Sequence, residues 1–145
     1  MAVEMEQLYA ELFEAAGVGR RFGEALAARQ GQTQARWQAM WTIAQEPGLT
    51  VPRIARRLGV TRQSVQRVID DLISDGLAVA VTNPDHRTSP IIELTETGRS
   101  ILEDINRGAD AAHQRILRSF GPDQVGELRG LLAALSAATP NELAD

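Results

Sequence analysis

The chain contains no cysteine. That one absence removes a disulfide framework, a thiolate metal site and a thiol redox switch. Lysine is missing too, so all fifteen basic residues are arginine, a bias from which nothing functional follows. Histidine occurs twice, at His86 and His113, which argues against a metal sensor unless carboxylates completed the site. No apolar run approaches the roughly 20 residues of a membrane-spanning helix. The opening residues, M-A-V-E-M-E-Q, are too acidic for a secretory leader. A cytoplasmic protein is expected, with no membrane partner, no metal and no cofactor.

At 145 residues the chain is expected to form one domain, 1–145, able to bury on the order of two-thirds of its unfolded surface. The net charge is −4, which on its face disfavours nucleic acid. The charge is unevenly spread, however. From Thr50 to Arg87 six arginines (53, 56, 57, 62, 67, 87) stand against four aspartates (70, 71, 75, 85), a net of +2, and the remaining residues carry −6. Between Arg53 and Arg67 there are five arginines and no acid. Basic charge gathered on one segment is the electrostatic footprint of a DNA binder.

That segment reads as helix, tight turn, helix, strand. Thr50 can cap the first helix, and Pro52 falls in its first turn, where a missing N–H costs nothing. Ile54, Ala55 and Leu58 make an apolar face, and Gly59 follows where a left-handed residue is wanted. Thr61 can cap a second helix with an apolar face of Val65, Val68, Ile69, Leu72 and Ile73. Ala55, Gly59 and Val65 lie at i, i+4 and i+10: a small residue at a close crossing, a glycine at the corner, a branched residue seating the second helix. This is the pattern of a helix-turn-helix. The second helix carries Arg62, Gln63, Ser64, Gln66 and Arg67 on its polar side, and arginine and glutamine have the paired groups that grip guanine and adenine edges.

The flanking chain is mainly helical by period. Met5, Leu8, Leu12, Ala15, Gly19, Phe22 and Leu26 step by three and four, predicting a long helix over about 3–29 whose seam packs on another helix. Thr33 can cap a helix through about Gln45, in which Trp37, Met40, Trp41 and Ala44 share a face. These tryptophans are either core or a wall of an aromatic pocket. After the second helix of the motif, Leu77–Thr82 and Ile91–Thr95 read as short strands joined by N-P-D-H-R-T-S-P. Two strands with a polar tip directly behind a helix-turn-helix make a wing. Arg87 near the tip is placed for a minor groove, whose negative potential attracts arginine, and Asp85 could orient its guanidinium. Leu77, Val79 and Val81 should face one way. Thr95 caps a helix expected to run to about Gly121, about 24 residues or roughly 36 Å. Val125, Leu128, Leu131, Leu132 and Leu135 mark a last one ending before Pro140.

Catalysis finds little support. His86, Asp85 and Ser89 are residue types of nucleophilic catalysis, but all three sit on one loop with no oxyanion site, so no enzyme is expected. His113 lies near an apolar stripe and reads as packed.

The order of elements resembles the MarR family of bacterial transcription regulators over nearly the whole chain. The residues that carry the likeness are L-T-V-P-R-I-A-R-R-L-G-V-T-R-Q-S-V-Q-R at 49–67, D-G-L at 75–77, and D-H-R followed by L-T-E-T-G within 85–98. The resemblance implies a mostly α fold with a small β-wing: a winged helix-turn-helix over 33–96, flanked by dimerisation helices in 1–32 and 97–145. It implies a homodimer on a pseudo-palindromic double-stranded operator, acting by occupancy, most simply as a repressor. The implied DNA-contacting set is Arg53, Thr61, Arg62, Gln63, Ser64, Gln66, Arg67, Asp85 and Arg87. A small aromatic effector between dimer helices and winged domain would meet Phe22, Trp37 and Trp41. Two departures stand out: no cysteine exists for peroxide sensing, and Pro90 sits at the start of the wing's return strand. The alternative is a winged helix whose polar face docks on a partner protein without specific DNA binding.

Overall fold

The structure, a computed structural model, describes residues 2–140. It is mostly α with a two-stranded antiparallel sheet. The order is α1 (Ala2–Ala28), α2 (Gln34–Gln45), α3 (Val51–Leu58), α4 (Arg62–Ser74), β1 (Ala78–Val81), β2 (Ile91–Leu94), α5 (Glu96–Leu117) and α6 (Gln124–Ala138). Two compact units divide between Gly108 and Ala109. No helix of the described residues is long and apolar enough to cross a membrane.

Threonines start three of these helices. Thr33 Oγ1 accepts the Arg36 N–H at 3.1 Å, Thr61 Oγ1 that of Ser64 at 3.1 Å, and Thr95 Oγ1 that of Gly98 at 3.0 Å. Each satisfies an N–H that the first turn leaves without a helical partner. Thr50 does not behave as expected: its side chain makes no cap bond. Pro52 sits at the second helical position, so one of the two N–H groups a cap would serve does not exist. Thr50 is instead buried and bridged to Ile91.

At the other end of α3 the chain turns through Gly59, with φ +65°. The Gly59 N–H bonds the Arg56 carbonyl and the Val60 N–H bonds that of Ala55, the paired closure of a left-handed C-cap. A side chain there would oppose that backbone conformation.

The first unit packs one core. Ala39, Met40 and Ile43 of α2, Ile54 and Ala55 of α3, and Val65, Ile69 and Leu72 of α4 meet Leu77, Ala78, Ile92 and Leu94 of the wing region, with Leu102 and Ile105 of α5. In the sheet Ala78 pairs with Leu94, Val79 with Glu93, Ala80 with Ile92 and Val81 with Ile91. The expected common face of Leu77, Val79 and Val81 is therefore corrected at Leu77, while Val79 and Val81, two apart in the strand, share a face. Val79 lies opposite Glu93 and is 41% exposed. Leu77 is buried but precedes the strand, held in the turn after α4 by its N–H to Leu72 O at 2.8 Å, so the alternation does not begin with it. β2 starts just after Pro90 and is also bonded on its other edge, through Ile92 N–H to Leu49 O. The ladder ends at Val81–Ile91, one pair short of Thr82, which would lie opposite Pro90.

α1 runs as its period predicts, but within its described length only Gly23, Leu26 and Ala27 are buried, while Met5, Leu8, Phe13 and Val18 are exposed. α5 ends at Leu117, short of Gly121. There Ser119 and Phe120 switch to bonds with the carbonyls three residues back, tightening the chain into a turn. In the second unit α6 buries none of its residues, and Leu128, Leu131 and Leu132 are exposed.

One contact is intolerant of change. A β-carbon at Gly98 would overlap the backbone carbonyl of Leu77. Gly98→Ala should lower stability by about 2–3 kcal/mol, the upper part of the usual range for overpacking, read by urea unfolding. Gly108→Ala, where an added carbon meets nothing within 4 Å, should be neutral or stabilising by up to about 1 kcal/mol.

Candidate nucleic-acid interface

α4 is sealed on one side and bare on the other. Val65, Ile69 and Leu72 are buried, while Arg62, Gln63, Ser64, Gln66 and Arg67 are all exposed. The start of the helix is fixed by Thr61, whose hydroxyl also donates to Ser64 Oγ at 2.9 Å, so these two residues shape the terminus as a pair. Arg62, Gln63, Gln66, Arg67 and Asp70 form one wall of an open cleft of about 640 Å³, and Thr88, Ser89 and Pro90 of the wing form the opposite one. The structure thus brings Arg62, Gln63, Gln66 and Arg67 to one face beside the wing, whereas Ser64 lines a second cleft with Val65 and Val68.

The wing loop is knotted by Asn83. Its Nδ2 donates to Ser89 O at 3.0 Å and its Oδ1 accepts the Asp85 N–H at 3.1 Å, while its backbone carbonyl accepts the His86 N–H. Asn83 is only 9% exposed, and its role was missed in the sequence, although Asn-Pro is a turn signal there. Arg87 stands exposed at the tip. The expected bond from Asp85 to its guanidinium is not among the ion pairs of the described residues. Asp85 is held through its own N–H, with its carboxylate exposed.

A second missed residue is Glu46. It lies outside the acid-free run of arginines, but the α2–α3 turn folds it back onto them. Arg57 Nη2 is 2.8 Å from Glu46 Oε2 and Arg53 Nη2 is 3.5 Å from Oε1. Exposed pairs of this kind are worth under about 1 kcal/mol, so both guanidiniums remain available to a stronger anion. Arg62, Arg67 and Arg87 take part in no ion pair among the described residues.

The model of the MarR family matches residues 30–87, from the turn after α1 to the tip of the wing. A relative in Mycobacterium tuberculosis, the uncharacterized protein Rv2011c, is 47% identical over 97% of this chain and 100% of its own length. The chain belongs to the MarR family. Among regulators, it is similar to the HTH-type transcriptional regulator PetP of Rhodobacter capsulatus, 32% identical over 70% of this chain and 61% of that protein. Among solved structures, a mutant MarR of E. coli complexed with operator DNA superposes with a TM-score of 0.77, covering 91% of this chain and 95% of that one at 21% identity. The fold is that of winged-helix MarR proteins, and relatives that carry a functional name are transcription regulators.

The aromatic candidates are less convergent than the polar ones. Trp37 is half-buried, and its Nε1 donates to Asn106 Oδ1 at 2.9 Å, joining α2 to α5. Phe22 is half-buried and Trp41 is 49% exposed. A further cleft of about 590 Å³ lies between α1, α2 and α4, lined by Arg20, Glu24, Gln34 and Gln38 above Val65 and Val68. Neither cleft is lined by Phe22, Trp37 or Trp41.

Asn83→Ala removes both side-chain bonds of the wing loop. Amide hydrogen exchange at residues 85–89 should rise at least tenfold, for a local loss of about 1–2 kcal/mol, while the amides of α4 keep their protection. Unchanged exchange in the loop would mean that the wing is held by something else.

Proposed function

We propose that two copies of this chain form a homodimer that binds a pseudo-palindromic operator in the cytoplasm and represses transcription by occupancy. One α4 enters each of two successive major grooves. The observation that carries this is the exposed face of α4, with unpaired Arg62 and Arg67 interleaved with Gln63 and Gln66 across a cleft from the wing. Arginine can bond guanine O6 and N7 together, and glutamine can bond adenine N6 and N7. Arg53, Thr61 and Ser64 lie at the helix starts, where phosphates are favoured. Arg87 on the wing is placed for the neighbouring minor groove. The likeness to an operator-bound MarR supports the same docking.

The uncovered apolar residues of α1 and of α6 support pairing. Runs of exposed large hydrophobic side chains on a monomer mark an interface, and these helices expose Met5, Leu8 and Phe13, and Leu128, Leu131 and Leu132. A dimer also gives the two recognition helices a fixed separation, about 34–36 Å for half-sites one turn apart. An effector changes occupancy only if it binds two separations unequally. A small aromatic molecule at Phe22, Trp37 and the half-exposed Trp41 is the candidate.

Selection of bound sites from a random duplex pool tests the reading. An inverted repeat with half-sites about 10–10.5 base pairs apart is expected; a pool that stays random would overturn it. A protein-docking role for the same face would leave binding to any duplex indifferent to sequence. Arg87→Ala should weaken operator binding by about tenfold, within the range of one good groove contact, with the dimer intact; unchanged anisotropy titrations at fixed salt would remove the wing from the interface. Leu128→Asp should sediment as a single chain where the parent sediments as a pair, because a carboxylate buried without a partner is strongly disfavoured. A stable dimer in that variant would exclude α6 from the interface.

A further inference from the structure

Two glutamines face outward on α4, and the structure treats them differently. Gln63 makes no side-chain hydrogen bond among the described residues. Gln66 Nε2 donates to Asp70 Oδ1 at 2.8 Å, one turn along the same helix. Both partners line the cleft between α4 and the wing. The acid is a surprising neighbour for a DNA-reading face, since it repels phosphates and the acceptor-only edge of guanine.

We infer that Asp70 is the positioning residue that fixes the base preference of Gln66, so that this position of the half-site is read as adenine. The inference rests on the DNA-reading role proposed above for α4. A carboxylate accepts hydrogen bonds and does not donate them, so the nitrogen of the Gln66 amide must face Asp70 and its oxygen must face away. One N–H and the Oε1 acceptor are left. These are the two groups that adenine requires, Oε1 taking N6–H and the remaining N–H serving N7. Without Asp70 the amide turns over freely and presents donor and acceptor in either order. The bond also orders a side chain that otherwise loses its rotamer freedom on binding. Gln63, unrestrained, adapts to whatever base it meets.

The test uses the full chain and an operator selected by the parent protein, with single-base substitutions at each half-site position. Four variants are titrated at fixed salt: Asp70→Ala, Asp70→Asn, Gln66→Ala and the Gln66→Ala/Asp70→Ala double. Both side chains are exposed, and thermal unfolding checks that each variant folds as the parent does. Asp70→Ala should flatten the preference for adenine at one position per half-site by roughly tenfold, the scale of one bidentate contact. Asp70→Asn keeps an acceptor for the Gln66 nitrogen without the charge, so it should retain the preference within about twofold. The double variant should have the same base profile as Gln66→Ala, because Asp70 acts only through Gln66. A parent-like profile in Asp70→Ala, or losses that add in the double variant, overturns the inference and leaves the DNA-reading proposal standing. A parent protein that selects no sequence overturns both.

Discussion

The close crossing of α3 and α4 is the constraint on which the rest of the molecule depends. Ala55 and Val65 are buried where the helices meet, and Gly59 makes the corner with its left-handed backbone and two carbonyl closures. Because Val65, Ile69 and Leu72 are committed to the core, the helix has one rotation about its axis that buries them all. That rotation turns Arg62, Gln63, Gln66 and Arg67 outward together. The exposed face is thus set by the packing of the opposite face.

The wing stands beside α4 for an equally local reason. The Leu77 N–H bonds Leu72 O at the helix end, and its carbonyl accepts the Thr95 N–H at 3.0 Å. The Thr95 hydroxyl donates to Gly76 O at 2.7 Å while accepting from Gly98 N–H, so the exit of β2 is tied to the end of α4 by one residue. Arg36 of α2 adds a 2.6 Å pair to Asp75 and a bond to Gln32. Helix and wing therefore form one frame, and the loop from Asn83 to Ser89 projects from it with its ends tied by Asn83.

Much of this was legible in the sequence. The helix period, the glycine corner and the threonine caps are short-range signals, and each is written within about one turn of where it acts. The readings that failed depend on neighbours distant in sequence or on one displaced residue. Thr50 belongs to a bridge with Ile91, forty-one positions away, and Pro52 denies it a cap partner. Leu77 is buried while Val79 is exposed because Leu77 precedes the strand, held in the turn after α4, and does not follow its alternation. Glu46 lies on the arginines only after the α2–α3 turn has folded, and Asp85 near Arg87 in sequence does not bring their charges together. Of the candidate site, the exposure of Arg62, Gln63, Gln66 and Arg67 on one side of α4 was legible, because helix period alone sets it. The aromatic set was drawn from two helices and does not line either cleft.

Charge completes the picture. A protein of net −4 can approach DNA only if its cations are segregated, and here unpaired arginines stand on α4 and on the wing tip. The most direct test of the central claim is methylation interference on a bound operator. Methyl groups on guanine N7 occupy the major groove, and those on adenine N3 occupy the minor groove. Interference by guanine N7 in two clusters about one helical turn apart, flanked by minor-groove interference, is the result this account predicts. Interference absent from the major groove would contradict it.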